Sequence, residues 1–247
     1  MTAPGSPKVE TGVRRLDDLL DGGFAQGAAA LVYGPPFVGK DVLARLFLLA
    51  GARKGIPGVM VLTSAAAVDV RKQLQAIDKD FAEHEKRGLI RFVDAYSKTI
   101  GADEDIPNVE YVDGPMNLNG VSLGVNNAQK KIIADHAEHR LVVDSVSTLI
   151  TYTNAQTTFR FLQVLVGKAR RAGATTMMLM DHGMHADAEV QTFKHLADGV
   201  LEVKTDGTNY LLKVDGLGIT ENRGWVEYRF TGGMFEITGS FAAGRIR

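Results

Sequence analysis

The chain has 247 residues, no cysteine and a formal net charge of −1. Disulfides, thiolate catalysis and zinc–thiolate centres are therefore excluded, and no global basic field advertises nucleic-acid binding. Hydrophobic residues at 45% and charged residues at 23% suit a globular domain that buries a core without covalent staples.

No apolar run approaches the roughly 20 residues of a membrane span, and the N-terminus lacks a basic-then-apolar leader. A cytoplasmic protein without membrane insertion is expected. Residues 1–10, small and polar with Pro4 and Pro7, read as a loose arm, which leaves 11–247 as a single domain. Leu16, Leu19 and Leu20 share one helical face, and Gly22-Gly23 end that helix. The first core strand is expected over 29–33. It runs into Gly34-Pro35-Pro36-Phe37-Val38-Gly39-Lys40-Asp41 and an apolar helix through 53.

The spacing Gly34-x4-Gly39-Lys40 is that of a Walker A phosphate loop. Glycines let backbone N–H groups converge on phosphate oxygens, the following helix turns its positive end to the same anion, and the lysine reaches the β- and γ-phosphates. Gly34, Pro35, Pro36, Phe37, Val38, Gly39, Lys40, Asp41 and Val42 are the candidate nucleotide-binding positions, with ATP as the expected ligand. The full motif closes on a Ser or Thr hydroxyl that binds Mg²⁺, and here the position is Asp41. A carboxylate there ligates Mg²⁺ directly, or costs affinity beside the phosphates, or caps the helix dipole of a site without metal. Phe37 packs on the sheet or narrows the site.

Gly55-Ile56-Pro57 is a turn, 59–62 a buried strand, 67–86 a polar helix and 89–93 a further strand. The stretch 94–124, with Asp103-Glu104-Asp105, Pro107 and Pro115, reads as a long loop of the functional or mobile kind. A helix is expected over 125–139. Leu141-Val142-Val143-Asp144 has the form of a Walker B strand, whose aspartate holds Mg²⁺ through water. Asp41 and Asp144 are thus the candidate metal ligands. A helix over 159–172 precedes a strand over 175–180 that ends at Asp181-His182-Gly183. His182, His185, Asp181 and Asp187 read as a polar loop in preference to a metal site, and Arg170-Arg171 as a solvated helix face. Short strands over 200–204, 210–214, 225–230 and 234–237 form antiparallel meanders at one edge. The fold class is α/β: a mostly parallel sheet with helices on both faces and C-terminal antiparallel edge strands.

Three segments, and a fourth step later in the chain, carry a family resemblance. Thr11-Gly12-Val13-Arg14-Arg15-Leu16-Asp17-Asp18-Leu19-Leu20-Asp21-Gly22-Gly23 is similar to a lead-in of the form TGIxxLDxLLxGG. Gly34-Pro35-Pro36-x-x-Gly39-Lys40 resembles the loop GPPGTGKT, and Val142-Val143-Asp144-Ser145-Val146-Ser147 the strand VIDSLS. Leu196-Ala197-Asp198-Gly199-Val200 looks like the ADGVI step into the last strands. The chain resembles the KaiC branch of the RecA-like P-loop ATPases over roughly residues 11–238. The resemblance implies a RecA-type core that assembles as a homo-oligomeric ring or filament, with ATP between subunits.

Four departures qualify what the resemblance implies. Asp41 replaces the Mg²⁺-binding Thr or Ser. Thr63 and Ser64 stand where the family has two glutamates, one of which polarises water, and they read as a strand end and helix cap. Lys213-Val214-Asp215-Gly216 keeps the lysine of the trans-acting Lys-x-Arg-Gly but makes its arginine Asp215. Lys194-His195 occupies the place of an autophosphorylated Ser-Thr pair. The expected function is a nucleotide-dependent regulatory or assembly switch with weak or no hydrolysis and a protein partner of unknown identity. Asp181 is the remaining candidate for orienting water, and Lys213 the trans-acting candidate. An active Mg²⁺-dependent ATPase using Asp41, Asp144 and Asp181 is the alternative. A DNA-binding recombinase paralogue is disfavoured by the near-neutral charge, and nothing in the sequence selects an accessory ATPase of the archaellum type.

Overall fold

Strands buried on both faces need unbroken apolar runs, and the sequence supplies them at the centre of one sheet. The computed structural model describes residues 7–102, 105–217 and 224–239. In chain order the elements are β1 (Lys8–Val9), α1 (Arg14–Leu19), β2 (Phe24–Ala25), β3 (Ala29–Gly34), α2 (Lys40–Arg53) and β4 (Gly58–Leu62). Next come α3 (Ala67–Ile77), α4 (Phe81–Lys86), β5 (Ile90–Asp94), β6 (Val109–Tyr111), α5 (Leu118–Ile133) and β7 (His139–Val143). Then follow α6 (Val146–Tyr152), α7 (Ala155–Arg171), β8 (Ala174–Asp181), α8 (Asp187–Leu196), β9 (Gly199–Asp206), β10 (Asn209–Gly216), β11 (Val226–Thr231) and β12 (Met234–Ile237).

Among the described residues the main sheet runs in the order β12-β11-β10-β9-β3-β8-β7-β4-β5-β6. From β9 to β6 every pairing is parallel, and from β9 outward to β12 every pairing is antiparallel. This is the expected α/β class. Side chains of β3 alternate between two cores: Ala30 and Val32 face α1 to α4, while Ala29, Leu31 and Tyr33 face α5 to α8. The loops leaving β3, β4, β7 and β8 consequently share one edge of the sheet, the carboxyl ends of its parallel strands.

The structure corrects several boundaries. Residues 8–9 belong to no loose arm: Lys8 pairs with Ala25 and Val9 with Phe24, and Lys8 Nζ donates to Leu20 O at 2.8 Å. Residues 1–6 lie outside the described residues. The single helix expected over 67–86 breaks at Asp78, whose carboxylate takes Arg53 Nε at 2.7 Å and the Asp80 N–H at 3.0 Å. The stretch 94–124 is not one loop. Buried Asp94 accepts from the N–H groups of Ala67, Tyr96 and Ser97 at 2.7–2.8 Å and from Ser97 Oγ at 2.6 Å, which organises a 3₁₀ turn at Ser97–Ile100. Strand β6 follows, and α5 starts at Leu118, capped by Asn117 Oδ1 on the Gly120 N–H at 2.9 Å. Asp103 and Glu104 lie outside the described residues.

Two polar side chains are buried at the start of β7. The guanidinium of Arg140 lies over the Phe47 ring at 4.6 Å and donates to Glu10 O at 2.8 Å and to Phe47 O, which joins the lead-in segment to α2. Burial pulls its pKa down to about 10. His139, 2% exposed, takes Gln129 Nε2 at 2.9 Å on its Nε2, and burial lowers its pKa to about 4.

His139 gives this fold a defined acid sensitivity. The unfolded ring takes up a proton near its ordinary 6.5, and the folded ring only near 4. The neutral ring's stabilisation is therefore complete above pH 6.5 and is lost as pH falls through that window, by about 3 kcal/mol in all. Urea denaturation from pH 7 to 4 should show this slope, and His139→Gln should flatten it. An unchanged slope in the variant would assign the sensitivity to other groups.

Candidate functional site

The turn between β3 and α2 joins two elements through a left-handed residue: Gly39, with φ 80°, is the N-cap of α2. No side chain caps that end, so its first N–H groups are available to an anion. Both loop glycines also answer to packing. A Cβ on Gly34 would fall 2.3 Å from Val203 Cγ2, and one on Gly39 would fall 2.6 Å from the Phe230 ring. Between them the Tyr228 hydroxyl donates to Val38 O at 2.8 Å. Strands β9 and β11 thus support the loop from behind. Phe37 neither packs on the sheet nor narrows the turn from within: its φ is 62° and its side chain is 93% exposed.

Lys40 is buried, and its ammonium donates to Gly34 O at 2.7 Å and to Pro35 O, and pairs with Asp181 Oδ1 at 2.9 Å. Asp181 stands directly across from Gly34 in the β3–β8 register, and its N–H donates to Ser147 Oγ at 2.9 Å. Two strands from β3, at the end of β7, Asp144 is saturated with hydrogen bonds. Oδ1 accepts from Thr63 N at 2.8 Å and Thr63 Oγ1 at 2.7 Å, and Oδ2 from Ser64 N at 3.2 Å and Ser64 Oγ at 2.9 Å. Burial pushes its carboxyl above the ordinary carboxylate value, while these four hydrogen bonds pull it back down. The helix-cap reading of Thr63 and Ser64 is corrected: the N-cap of α3 is Ala66, and both hydroxyls serve Asp144.

Asp41, 61% exposed, is committed elsewhere. Its Oδ2 lies 2.5 Å from Nη2 of Arg45, one turn along α2, and Nη1 of that buried guanidinium lies 2.5 Å from Gln73 Oε1. The metal, repulsion and dipole roles expected for this carboxylate leave out its partner at i+4, the arginine that holds it along the helix. Lys213, on β10, pairs with Asp215 at 2.9 Å. Arg170 is no merely solvated face: Nε donates to Gly27 O at 2.7 Å, and Nη2 pairs with Asp198, tying α7 to the turns before β3 and β9.

The structure therefore brings Lys40 and Asp181 into contact, sets Asp144 on the same sheet edge, and turns Asp41 along its helix. Among the described residues no three His, Asp or Glu side chains converge. Mg²⁺ is usually held by one or two carboxylates together with phosphate oxygens and water. Asp144 would first have to exchange a Thr63 or Ser64 hydrogen bond for a metal-bound water, and Asp41 would first have to leave Arg45.

Comparison with known proteins agrees with the fold. The KaiC ATPase family matches residues 9–225. A UPF0273 protein of Methanopyrus kandleri is 27% identical over 203 residues, 81% of this chain and 77% of the relative. A UPF0273 protein of Aeropyrum pernix is 30% identical over 201 residues, 81% and 78% of the two chains. The crystal structure of a KaiC-like protein from Pyrococcus horikoshii superposes with a TM-score of 0.75 at 22% identity, over 94% of this chain and 99% of that one, which is a likeness of fold.

The Tyr228 hydroxyl is the one side-chain donor to Val38 O named above, and its loss leaves a buried carbonyl unpaired. Tyr228→Phe should lower stability by about 1–2 kcal/mol, read as a shift in the urea midpoint at constant slope. A midpoint that does not move would mean that water replaces the hydroxyl.

Proposed function

The chain belongs to the KaiC family of ATPases, and on that footing we propose that it is an ATP-binding switch that turns over slowly or not at all. Bound nucleotide would favour one state of a homo-oligomer, or of a complex with a protein partner, in the cytoplasm. Differential affinity for two states is sufficient for such a switch and needs no hydrolysis.

The observation that carries this reading lies at the end of β4. The positions that resemble the family's glutamates hold Thr63 and Ser64, and both hydroxyls donate to Asp144. A hydroxyl engaged as donor to a carboxylate does not take a proton from water at neutral pH. The binding half of the site is better provided. The open N-terminus of α2 and the Lys40 ammonium would bind phosphate, and Asp144 would hold Mg²⁺ through a water that replaces one of its Thr63 or Ser64 hydrogen bonds. That metal, when bound, draws the phosphate charge together and lowers the cost of bringing it beside Asp181 and Asp144. For a neighbouring subunit, Lys213 becomes available only by leaving Asp215.

One observation favours the second reading, an active Mg²⁺-dependent ATPase: Asp181 touches the phosphate-loop lysine and is a carboxylate close enough to orient water. Calorimetry and phosphate release separate the two. The unmodified protein should bind ATP, and Lys40→Ala should weaken binding by about 10- to 100-fold, the worth of a charge-assisted contact. Phosphate release should stay at background, because an arginine finger alone contributes about 10³–10⁵ in rate and its position here is Asp215. Turnover of about one per second that is abolished by Asp144→Ala would establish the ATPase instead.

A further inference from the structure

The Lys40 ammonium comes to any ligand already engaged. Its partners are Gly34 O, Pro35 O and Asp181 Oδ1, the last at 2.9 Å. A phosphate-loop lysine reaches β- and γ-phosphate oxygens. A carboxylate that touches this ammonium is therefore roughly 5 Å, and at most about 6 Å, from the phosphate oxygens the ammonium takes up, since two charge-assisted contacts meet at one tetrahedral nitrogen.

Asp181 is poorly placed to withdraw. Its own N–H is spent on Ser147 Oγ at 2.9 Å, and the next residue donates from His182 N to Gly34 O at 2.8 Å. The β3–β8 register sets it beside Gly34 itself. Other cations on neighbouring elements have their own anions: Arg45 pairs with Asp41, and Lys194 with Glu202 at 3.5 Å. When phosphate draws Lys40 away, the Asp181 carboxylate is left facing that phosphate with its counter-ion shared or gone.

Resting on the nucleotide-binding reading, we propose that Asp181 is the specificity-determining residue of the phosphate site and makes it select nucleoside diphosphates over triphosphates. With a diphosphate, Lys40 bridges the β-phosphate and Asp181, and each anion keeps a cation between them. A γ-phosphate adds negative charge on the Asp181 side, where no second cation of α2, β3 or β8 meets it. One further charge at this range corresponds to between about threefold in affinity, at the dielectric of water, and about a hundredfold, at the effective value near a protein surface, with about tenfold in the middle of that span. The protein's resting ligand would then be ADP, and ATP would displace it only when in excess or when a neighbouring subunit or partner brings another cation.

The test is calorimetry of the full chain with ADP, with ATP and with a non-hydrolysable ATP analogue, at fixed magnesium chloride and again without it. Without magnesium the unmodified protein should bind ADP about tenfold more tightly than ATP, and magnesium should narrow that preference. Asp181→Asn keeps the size of the side chain and an oxygen for Lys40 but removes the charge. It should tighten both ligands, ATP about tenfold more than ADP, so that the ratio approaches one. Asp181→Ser is read in the same way, with thermal melting to report that each variant is folded. A preference for ATP in the unmodified protein without magnesium, or a ratio that moves less than twofold in both variants under that condition, overturns the assignment while leaving nucleotide binding intact. If neither the unmodified protein nor the variants bind any of these ligands at millimolar concentration, the nucleotide reading itself falls and takes this one with it. Binding that emerges only in the variants supports it.

Discussion

A buried ammonium has to be compensated, and the one on Lys40 sets the arrangement of the sheet edge around it. Removing an isolated charge from water costs several kcal/mol or more. Here two main-chain carbonyls and Asp181 meet that cost. To do so, β8 must lie beside β3 in the register that opposes Asp181 to Gly34, and Ser147 must hold the end of β8. On the other side of β3 the approach of β9 is so close that Val203 leaves no room for a side chain at position 34. The phosphate loop is thus not a free turn between a strand and a helix. It is the point at which the parallel sheet, α6 and the C-terminal antiparallel strands are fitted to one charge.

How much of this was legible in the sequence depends on the range of the interaction. Continuous apolar runs announced β3, β4, β7 and β8, and the spacing of Gly34, Gly39 and Lys40 announced the loop, because both signals are local. The Asp41–Arg45 pair was within reach of the same reading, at i and i+4, but the lysine motif drew Asp41 toward phosphate. The start of α5 was hidden by glycines that resemble breakers. Gly124 is instead a packing residue: a Cβ there would lie 2.8 Å from Val93 Cγ1, so its absence lets α5 settle onto β5. Lys40 and Asp181 are 141 positions apart, and Val38 and Tyr228 are 190 apart. Such contacts follow from strand order, and no periodicity in one sequence encodes that order.

The two hydroxyls at the end of β4 change the electrostatics as well as the chemistry. Asp41, Asp144 and Asp181 already place three carboxylates along this part of the molecule, against the two cations Lys40 and Arg45. Glutamates at 63 and 64 would add negative charge next to Asp144, whose carboxyl burial already pushes upward. Thr63 and Ser64 do the opposite. They donate to Asp144 and stabilise its ionised form without adding charge. Asp144 is therefore fixed in place, with the acceptor positions of both its oxygens occupied in the free protein.

The C-terminal strands extend that fixed arrangement outward. Strand β11 supplies Tyr228 to Val38 and Phe230 to Gly39, and β9 supplies Val203 to Gly34. Strand β10 lies between β9 and β11 and is hydrogen-bonded to both, along its whole length in the case of β9. Lys213 and Asp215 are carried on β10. Movement of Gly34 or Gly39 toward the sheet would meet Val203 and Phe230, which already leave no room for a side chain at either position. Phe37, by contrast, is exposed and in left-handed backbone, while β9 and β11 pair with the strand that bears Lys213. Close packing at two glycines therefore ties the phosphate loop to the edge of the sheet where this chain's charge pattern differs from the family's Lys-x-Arg-Gly.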